Sequence, residues 1–282
     1  MMSARFLTVV LERAFNMRDG FGREIDYMRI SVIDSCNLNC YYCNPCDNNE
    51  HCHALNILSV KEVLCIVRAA TRLGIKHFRL TGGEPLLHPQ LDEMVLQIKK
   101  IPGVSSVSLT TNAVLLAQHA KWLKEAGIDS INVSLDTIDA SEYERITKKP
   151  LLEEVKHGIN AAIECGIRVK INVVLTPQTD VVALTRYVAK KGTDIRFIEM
   201  MPVGEGHTNG VEPYKKVIGT LSKLYGEPCR INTEKTKEIN SGNDKRKIPD
   251  NGPAEYYIFP ELGIRVGLIQ AIHGKFCDTC NR

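Results

Sequence analysis

The chain reads as an α/β protein, an open, partial (β/α)6 barrel of the TIM type with a short β-rich C-terminal extension, and three observations predict it. Strand-like runs alternate with amphipathic helix-like segments in strict order. The strand-like runs are rich in β-branched apolar residues, as parallel strands covered on both faces are. Gly74, Gly103, Gly127, Gly166 and Gly192 fall at or just past the helix ends, where a left-handed cap is wanted.

Strands are expected at Met28 to Ile33, His77 to Thr81, Val107 to Thr111, Ser130 to Leu135, Val169 to Leu175 and Ile195 to Glu199. Between them, apolar residues at i, i+3 and i+4 predict helices over Ser59 to Leu73, Gln90 to Lys100, Leu115 to Glu125, Leu152 to Cys165 and Val181 to Lys190. Six units are fewer than the eight that close a complete barrel, and the site is expected at the C-terminal strand ends.

Around this barrel, placed at 21–233, the sequence suggests three further parts. Residues 1–20 form a helix-like extension, whose apolar run from Phe6 to Phe15 is broken by Glu12 and Arg13 and is too short to span a bilayer. Residues 234–251 form a polar linker of mixed charge, read as a mobile surface loop. The extension, 252–282, has strand-like runs at Tyr256 to Phe259 and Ile264 to Ile269 and would lay Cys277 and Cys280 across the open barrel mouth.

Composition narrows the function classes. The chain has 282 residues, 44% hydrophobic and 24% charged, with a net charge of +3, so general nucleic-acid binding has no support and an anionic ligand must be held by local groups. Ten cysteines without a secretory leader point to a reducing compartment, with the cytoplasm as default, and to metal or redox use.

The most informative run is Cys36-Asn-Leu-Asn-Cys40-Tyr-Tyr-Cys43, directly after the first strand. Three thiols at C-x3-C-x2-C can ligate three irons of a [4Fe-4S] cube and leave the fourth open for substrate chemistry. Zinc fits less well, since its sites favour paired C-x2-4-C motifs completed by a distant pair or by histidines.

This spacing resembles the radical S-adenosylmethionine (SAM) superfamily, in which the open iron holds SAM and an electron from the cube splits it into methionine and a 5′-deoxyadenosyl radical. One βα unit on, the string Arg79-Leu-Thr-Gly-Gly-Glu-Pro85 has paired glycines that allow close backbone approach to a ligand. Glu84 can accept a hydrogen bond from an ammonium group. In that position the string resembles the superfamily segment that holds the amino group of SAM.

Polar residues also close the later strands. Thr110, Thr111 and Asn112 follow the third, and Ser134 and Asp136 the fourth. Lys170 and Asn172 share a face of the fifth, where the lysine needs an anionic partner if buried; the alternative puts Lys170 near a strand end in water.

Further strings narrow the resemblance. Tyr27-Met-Arg-Ile-Ser31, Val133-Ser-Leu-Asp136, Val169-Lys-Ile-Asn-Val-Val174, Ile195-Arg-Phe-Ile-Glu-Met-Met-Pro-Val-Gly204 and Gly252-Pro-Ala-Glu-Tyr-Tyr257 are similar to the GTP 3′,8-cyclases, a lyase family that opens molybdenum-cofactor (molybdopterin) biosynthesis. The resemblance runs from about Phe21 to Arg282.

It implies that Cys36, Cys40 and Cys43 hold the first cluster. Tyr42, Gly83, Glu84, Ser134 and Met201 match SAM-contacting positions, and Arg29, Arg79, Thr110, Lys170 and Arg282 match GTP-contacting ones. The implied reaction removes hydrogen from the ribose C3′ of GTP and closes C3′ onto C8 of guanine, giving (8S)-3′,8-cyclo-7,8-dihydroguanosine 5′-triphosphate. A flavodoxin or ferredoxin-type electron donor and a downstream pyranopterin synthase follow as partners, and a homodimer is compatible with the sequence.

Phe276-Cys277-Asp-Thr-Cys280-Asn281-Arg282 matches the start of the family's second [4Fe-4S] site. The family completes that site with a third cysteine, further arginines and a glycine-rich tail, none of which this sequence contains. The C-x2-C pair is therefore expected to form an incomplete auxiliary site, with a redox pair or half a zinc site as its competitors. Two other functions stay open: a peptide-modifying radical SAM enzyme with an auxiliary cluster, and a truncated non-catalytic homologue.

Of the remaining cysteines, Cys46 and Cys52 read as free loop thiols. Cys65 and Cys165 read as small core residues within helices, and Cys229 has no evident partner.

Overall fold

The computed structural model describes residues 17–43, 57–201, 212–231, 253–274 and 280–281. Six strands, β1 (Tyr27–Ser31), β2 (His77–Thr81), β3 (Ser106–Thr111), β4 (Ser130–Ser134), β5 (Arg168–Leu175) and β6 (Asp194–Glu199), pair in parallel in sequence order. Helices α1 (Val60–Arg72), α2 (Leu91–Lys99), α3 (Leu116–Glu125), α4 (Ala140–Thr147), α5 (Leu152–Glu164) and α6 (Val181–Lys190) connect them. A π-helical turn, Tyr214–Ile218, leads into α7 (Gly219–Tyr225).

The sequence-read units stand, and their ends carry the expected chemistry. Ser59 opens α1 with a capping box, its side chain accepting from Glu62 N while Glu62 accepts from Ser59 N. Asp180 opens α6 by accepting from Ala183 N at 2.9 Å. The glycines after α1, α2, α3, α5 and α6 all have positive φ.

One part of the reading is extended and one is corrected. The β-rich extension is continuous with the barrel sheet: β9 (Arg265–Ile269) lies parallel beside β6, and β8 (Glu255–Ile258) and β7 (Cys229–Ile231) continue antiparallel, giving the order β1-β2-β3-β4-β5-β6-β9-β8-β7. Residues 17–20 are not helical. Arg18 bridges Glu24, and Asp19 turns the chain by accepting from Phe21 N and Arg23 N. Residues 1–16 and the 234–251 linker lie outside the described residues.

Alternation along the strands separates two faces. Phe78, Leu80, Val107, Leu109, Ile131, Val133, Ile171 and Phe197 are buried on the outer face and join one core with Val63, Met94, Leu116 and Leu184 of the helices. The inner face is polar. Arg29, Arg79, Ser108, Ser130 and Arg168 stand in one register row, and Thr110, Asn132, Lys170 and Asp194 in the next.

Cys65 lies on the solvent side of α1, because Val63, Val67 and Ala70 define the buried side. It is therefore no core residue. Cys165 is half-buried against the core, and Cys229 is exposed on β7.

A cysteine loop at one rim of a cationic barrel

The loop after β1 is held by contacts from three directions, all at the C-terminal rim. Its base pairs with the segment after β2, where Gly83 N donates to Ile33 O and Glu84 N to Ser35 O, both at 2.7 Å. A Cβ at Gly82 would lie 2.4 Å from Ile33 O, and one at Gly83 would lie 2.2 Å from Ser35 O. The glycines are thus required by the chain's own cysteine loop, and Gly83 remains exposed on its other side.

Glu84 is buried and receives Leu86 N at 3.0 Å, Thr111 Oγ1 at 2.7 Å and Asn112 N at 2.7 Å. Burial raises its carboxyl pKa, and these donors work against that rise. Its partners all belong to the fold, so it joins the ends of β2 and β3. Next to it Ala113 takes a left-handed φ of 66°, a conformation that costs a non-glycine residue about 1 kcal/mol or more.

The far side of the loop is tied as firmly. Asn112 Nδ2 donates to Asn37 Oδ1 at 2.7 Å, and Asn39 N and Tyr41 N donate to Thr147 O and Ile146 O at the end of α4. The Arg145 guanidinium lies 5.6 Å over the Tyr41 ring. Tyr42 donates its hydroxyl to Asp136, whose other oxygen accepts from Val174 N at 2.7 Å. Desolvation pushes the Asp136 carboxyl up to about 6.

Burial also raises the Cys36 thiol and pushes Cys40 up to about 12, with Asp136 and the neighbouring thiols adding repulsion. Cys36 and Cys40, raised by burial and by the thiols beside them, belong to a three-thiol donor set that calls for bound positive charge. Among the described residues no three His, Cys, Asp or Glu side chains converge on a single metal ion. A cube carries its irons on separate corners, so its ligands need not converge, and this set fits a [4Fe-4S] cluster with three cysteine ligands.

The residues matched to SAM contacts share this rim: Tyr42 in the loop, Gly83 and Glu84 after β2, exposed Ser134 ending β4 and half-exposed Met201 after β6. Glu199, at the end of β6, accepts from Ile272 N at 2.7 Å and from the side chain of His273, which fixes the turn after β9 to the same rim.

Those matched to GTP contacts line the inner face. Arg29 is exposed, Thr110 is half-buried, and Arg79 and Lys170 are buried. Lys170 is therefore not a strand-end lysine in water. Arg79 donates to Ser108 Oγ at 3.0 Å and lies 5.4 Å over the Tyr27 ring. Lys170 Nζ stands 3.4 Å from the Tyr256 hydroxyl.

The sequence reading missed Arg196, which is buried on the same face and donates to Asn172 Oδ1 at 2.9 Å. Its alternation with Ile195 and Phe197 was the available signal. Gly267 opposite leaves room for it, since a Cβ there would lie 2.8 Å from Arg196 Cγ. Asp194, the acid of these rows, is engaged by Arg265 at 2.5 Å.

At the opposite rim, Asn281 Nδ2 donates to Asp26 Oδ1 at 2.6 Å, just before β1. Cys280 accordingly lies at the N-terminal end of β1, with the first cysteine loop beyond its C-terminal end. Cys277, Arg282, Cys46 and Cys52 lie outside the described residues.

Residues 30–184 match the radical SAM superfamily and residues 193–282 the Molybdenum Cofactor Synthesis C family. GTP 3′,8-cyclases of Clostridium perfringens strain SM101 and Pelotomaculum thermopropionicum are 36% and 37% identical, each over 94% of this chain and 79% and 80% of their own lengths. The chain belongs to the GTP 3′,8-cyclase family. That family works with a [4Fe-4S] cluster and SAM.

Solved structures agree on the fold. Methylornithine synthase (PylB) superposes with a TM-score of 0.57 at 17% identity, over 80% of this chain and 71% of its own. Streptococcus suis SuiB bound to the precursor peptide SuiA gives 0.59 at 19% over 78% of this chain, which spans about half of SuiB (48%). Among the described residues no helix is long and apolar enough to cross a membrane.

Proposed function

We propose that this chain carries out the reaction for which its cyclase relatives are named, closing the ribose C3′ of GTP onto C8 of guanine as the first step of molybdenum-cofactor biosynthesis. The observation that carries this reading is the cationic inner face between the cysteine loop at one rim and Cys280 at the other. Arg29, Arg79, Thr110, Lys170 and Arg196 would bind and orient the nucleotide, as would Arg282. Tyr42, Gly83, Glu84, Ser134 and Met201 would order the SAM side, Tyr42 and Glu84 through the loop they brace.

Cys36, Cys40 and Cys43 would hold the first cluster and Cys277 with Cys280 part of a second. With SAM, a cluster held there would supply the 5′-deoxyadenosyl radical chemistry that removes hydrogen from C3′. The chain's contribution is to hold GTP so that C3′ faces the SAM rim, and to screen the site from water.

Splitting SAM would take one electron, and quenching the unpaired electron that ring closure leaves on the base would take a second electron and a proton, so a flavodoxin or ferredoxin-type donor is part of the reading. A pyranopterin synthase would consume the product. The working arrangement is a barrel, 21–233, with the 252–282 extension completing its sheet, in the cytoplasm and with a homodimer compatible.

Anaerobic reconstitution with iron and sulfide, followed by dithionite, SAM and GTP, tests this. About eight irons per chain with GTP-dependent 3′,8-cyclo-GTP supports both clusters and the cyclase. About four irons with deoxyadenosine formed regardless of GTP would reject the cyclase and leave a radical SAM core.

A further inference from the structure

Asn132 lies in the middle of β4, between Ile131 and Val133 of the apolar outer face, so its own side chain belongs to the inner one. It is 1% exposed, and its Nδ2 has no hydrogen-bond partner among the described residues. A buried amide donor left unmade is costly, and such groups are nearly always satisfied.

Its register neighbours are Thr110 on β3 and Lys170 on β5, the two residues matched to nucleotide contacts on either side of it. The sequence comparison of motifs passed over the residue between them. The nearest acid of this row, Asp194, is held by Arg265 Nη2 and Nε at 2.5 and 3.1 Å and is not turned to the amide.

We infer that Asn132 is a further binding residue of the barrel, its Nδ2 donating to a phosphate oxygen of the bound nucleotide. The amide offers N–H, so its partner is an acceptor. The side chains that share its face, Lys170, Arg79 and Arg196, are cations and donors themselves. The acceptor that suits an amide donor set among such cations is an oxyanion, and a triphosphate presents several oxygens to different donors at once. The inference rests on reading the lumen as the nucleotide site.

Asn132→Ala and the near-isosteric Asn132→Leu test it, with inorganic tripolyphosphate and GTP as separate titrants, SAM omitted, and affinity read by calorimetry. Both variants are expected to weaken tripolyphosphate and GTP about tenfold, the worth of one hydrogen bond to a charged group. Their ligand-free melting temperature should hold or rise, since an unpaired amide leaves the interior.

Unchanged tripolyphosphate affinity in either folded variant, or no tripolyphosphate binding by the parent chain, would overturn the assignment. A parent that binds tripolyphosphate but not GTP, with the variants weakened, would support Asn132 as a phosphate contact and reject the cyclase reading alone.

Discussion

The Tyr42 hydroxyl donates to Asp136 Oδ2 at 2.5 Å, joining the second aromatic of the cysteine run to the turn after β4. The residue that precedes the last cysteine thus has its ring fixed from within the barrel. Removing the hydroxyl by Tyr42→Phe leaves Asp136 with Val174 N alone. The expected loss is about 1–3 kcal/mol in chemical unfolding. Cluster retention should fall with it, read as the rate at which iron is lost to a chelator, and an unchanged rate would count against the tie.

The glycine pair gives a sharper contrast. Gly83→Ala drives a Cβ into the carbonyl oxygens of Ser35 and Asp34, which are backbone and cannot swing aside. It should cost about 1–3 kcal/mol and lower iron uptake on reconstitution. Gly219→Ala has nothing within 4 Å and a helical φ of −60°, so it should stabilise by about 0.5–1 kcal/mol and leave iron uptake unchanged.

The β6–β9 junction is expected to depend on one buried ion pair. Arg265→Met leaves the Asp194 carboxylate with Arg168, at 4.0 Å, as its remaining ion-pair partner among the described residues. Breaking such a pair from one side costs about 3 kcal/mol. Asp194→Asn with Arg265→Met should recover part of it, which a double-mutant cycle in denaturant measures.

Burial holds the His77 imidazole below its ordinary range, against the opposing pull of Asp26. The unfolded chain therefore takes up that proton more readily, so the stability this group contributes is present above the ordinary histidine pKa of about 6.5 and is lost as pH falls. His77→Gln keeps a partner for Ser106 Oγ, 2.8 Å from Nδ1, and removes the titration. The decline in unfolding free energy from neutral to acid pH should be shallower in the variant, and parallel curves would refute the assignment.

Much of the barrel was legible because its signal is local. Apolar spacing located five helices and six strands to within a residue or two, and the cysteine run announced its chemistry by spacing alone. What was missed depends on tertiary proximity or on phase. Helix α4 is short and sits directly before α5, although Asp139 with Glu142 N at 2.8 Å is a readable cap. Cys65 was given the wrong side of α1 because the buried side is set by Val63, Val67 and Ala70 together.

The site divides the same way. Glu84 and Gly83 were found by motif, but their work on the cysteine loop comes from Ile33 and Ser35, roughly fifty residues earlier. Arg196 lies inside the Ile195–Gly204 string without being singled out by it, and Asn132 carries no motif of its own. Only the strand register shows that they share a face with Lys170 and Thr110.

In β2 to β6 the residues that pack under the helices and those that face the lumen interleave one by one, so two nearly independent texts are written on the same strands. Phe78, Leu80 and Phe197 bind the barrel to its helices, while Arg79 and Arg196, at the positions between, are free of that duty. A lineage can therefore revise the lumen, and with it the ligand, while the scaffold is left standing, and the chain's resistance to unfolding should tell little about what its interior accepts.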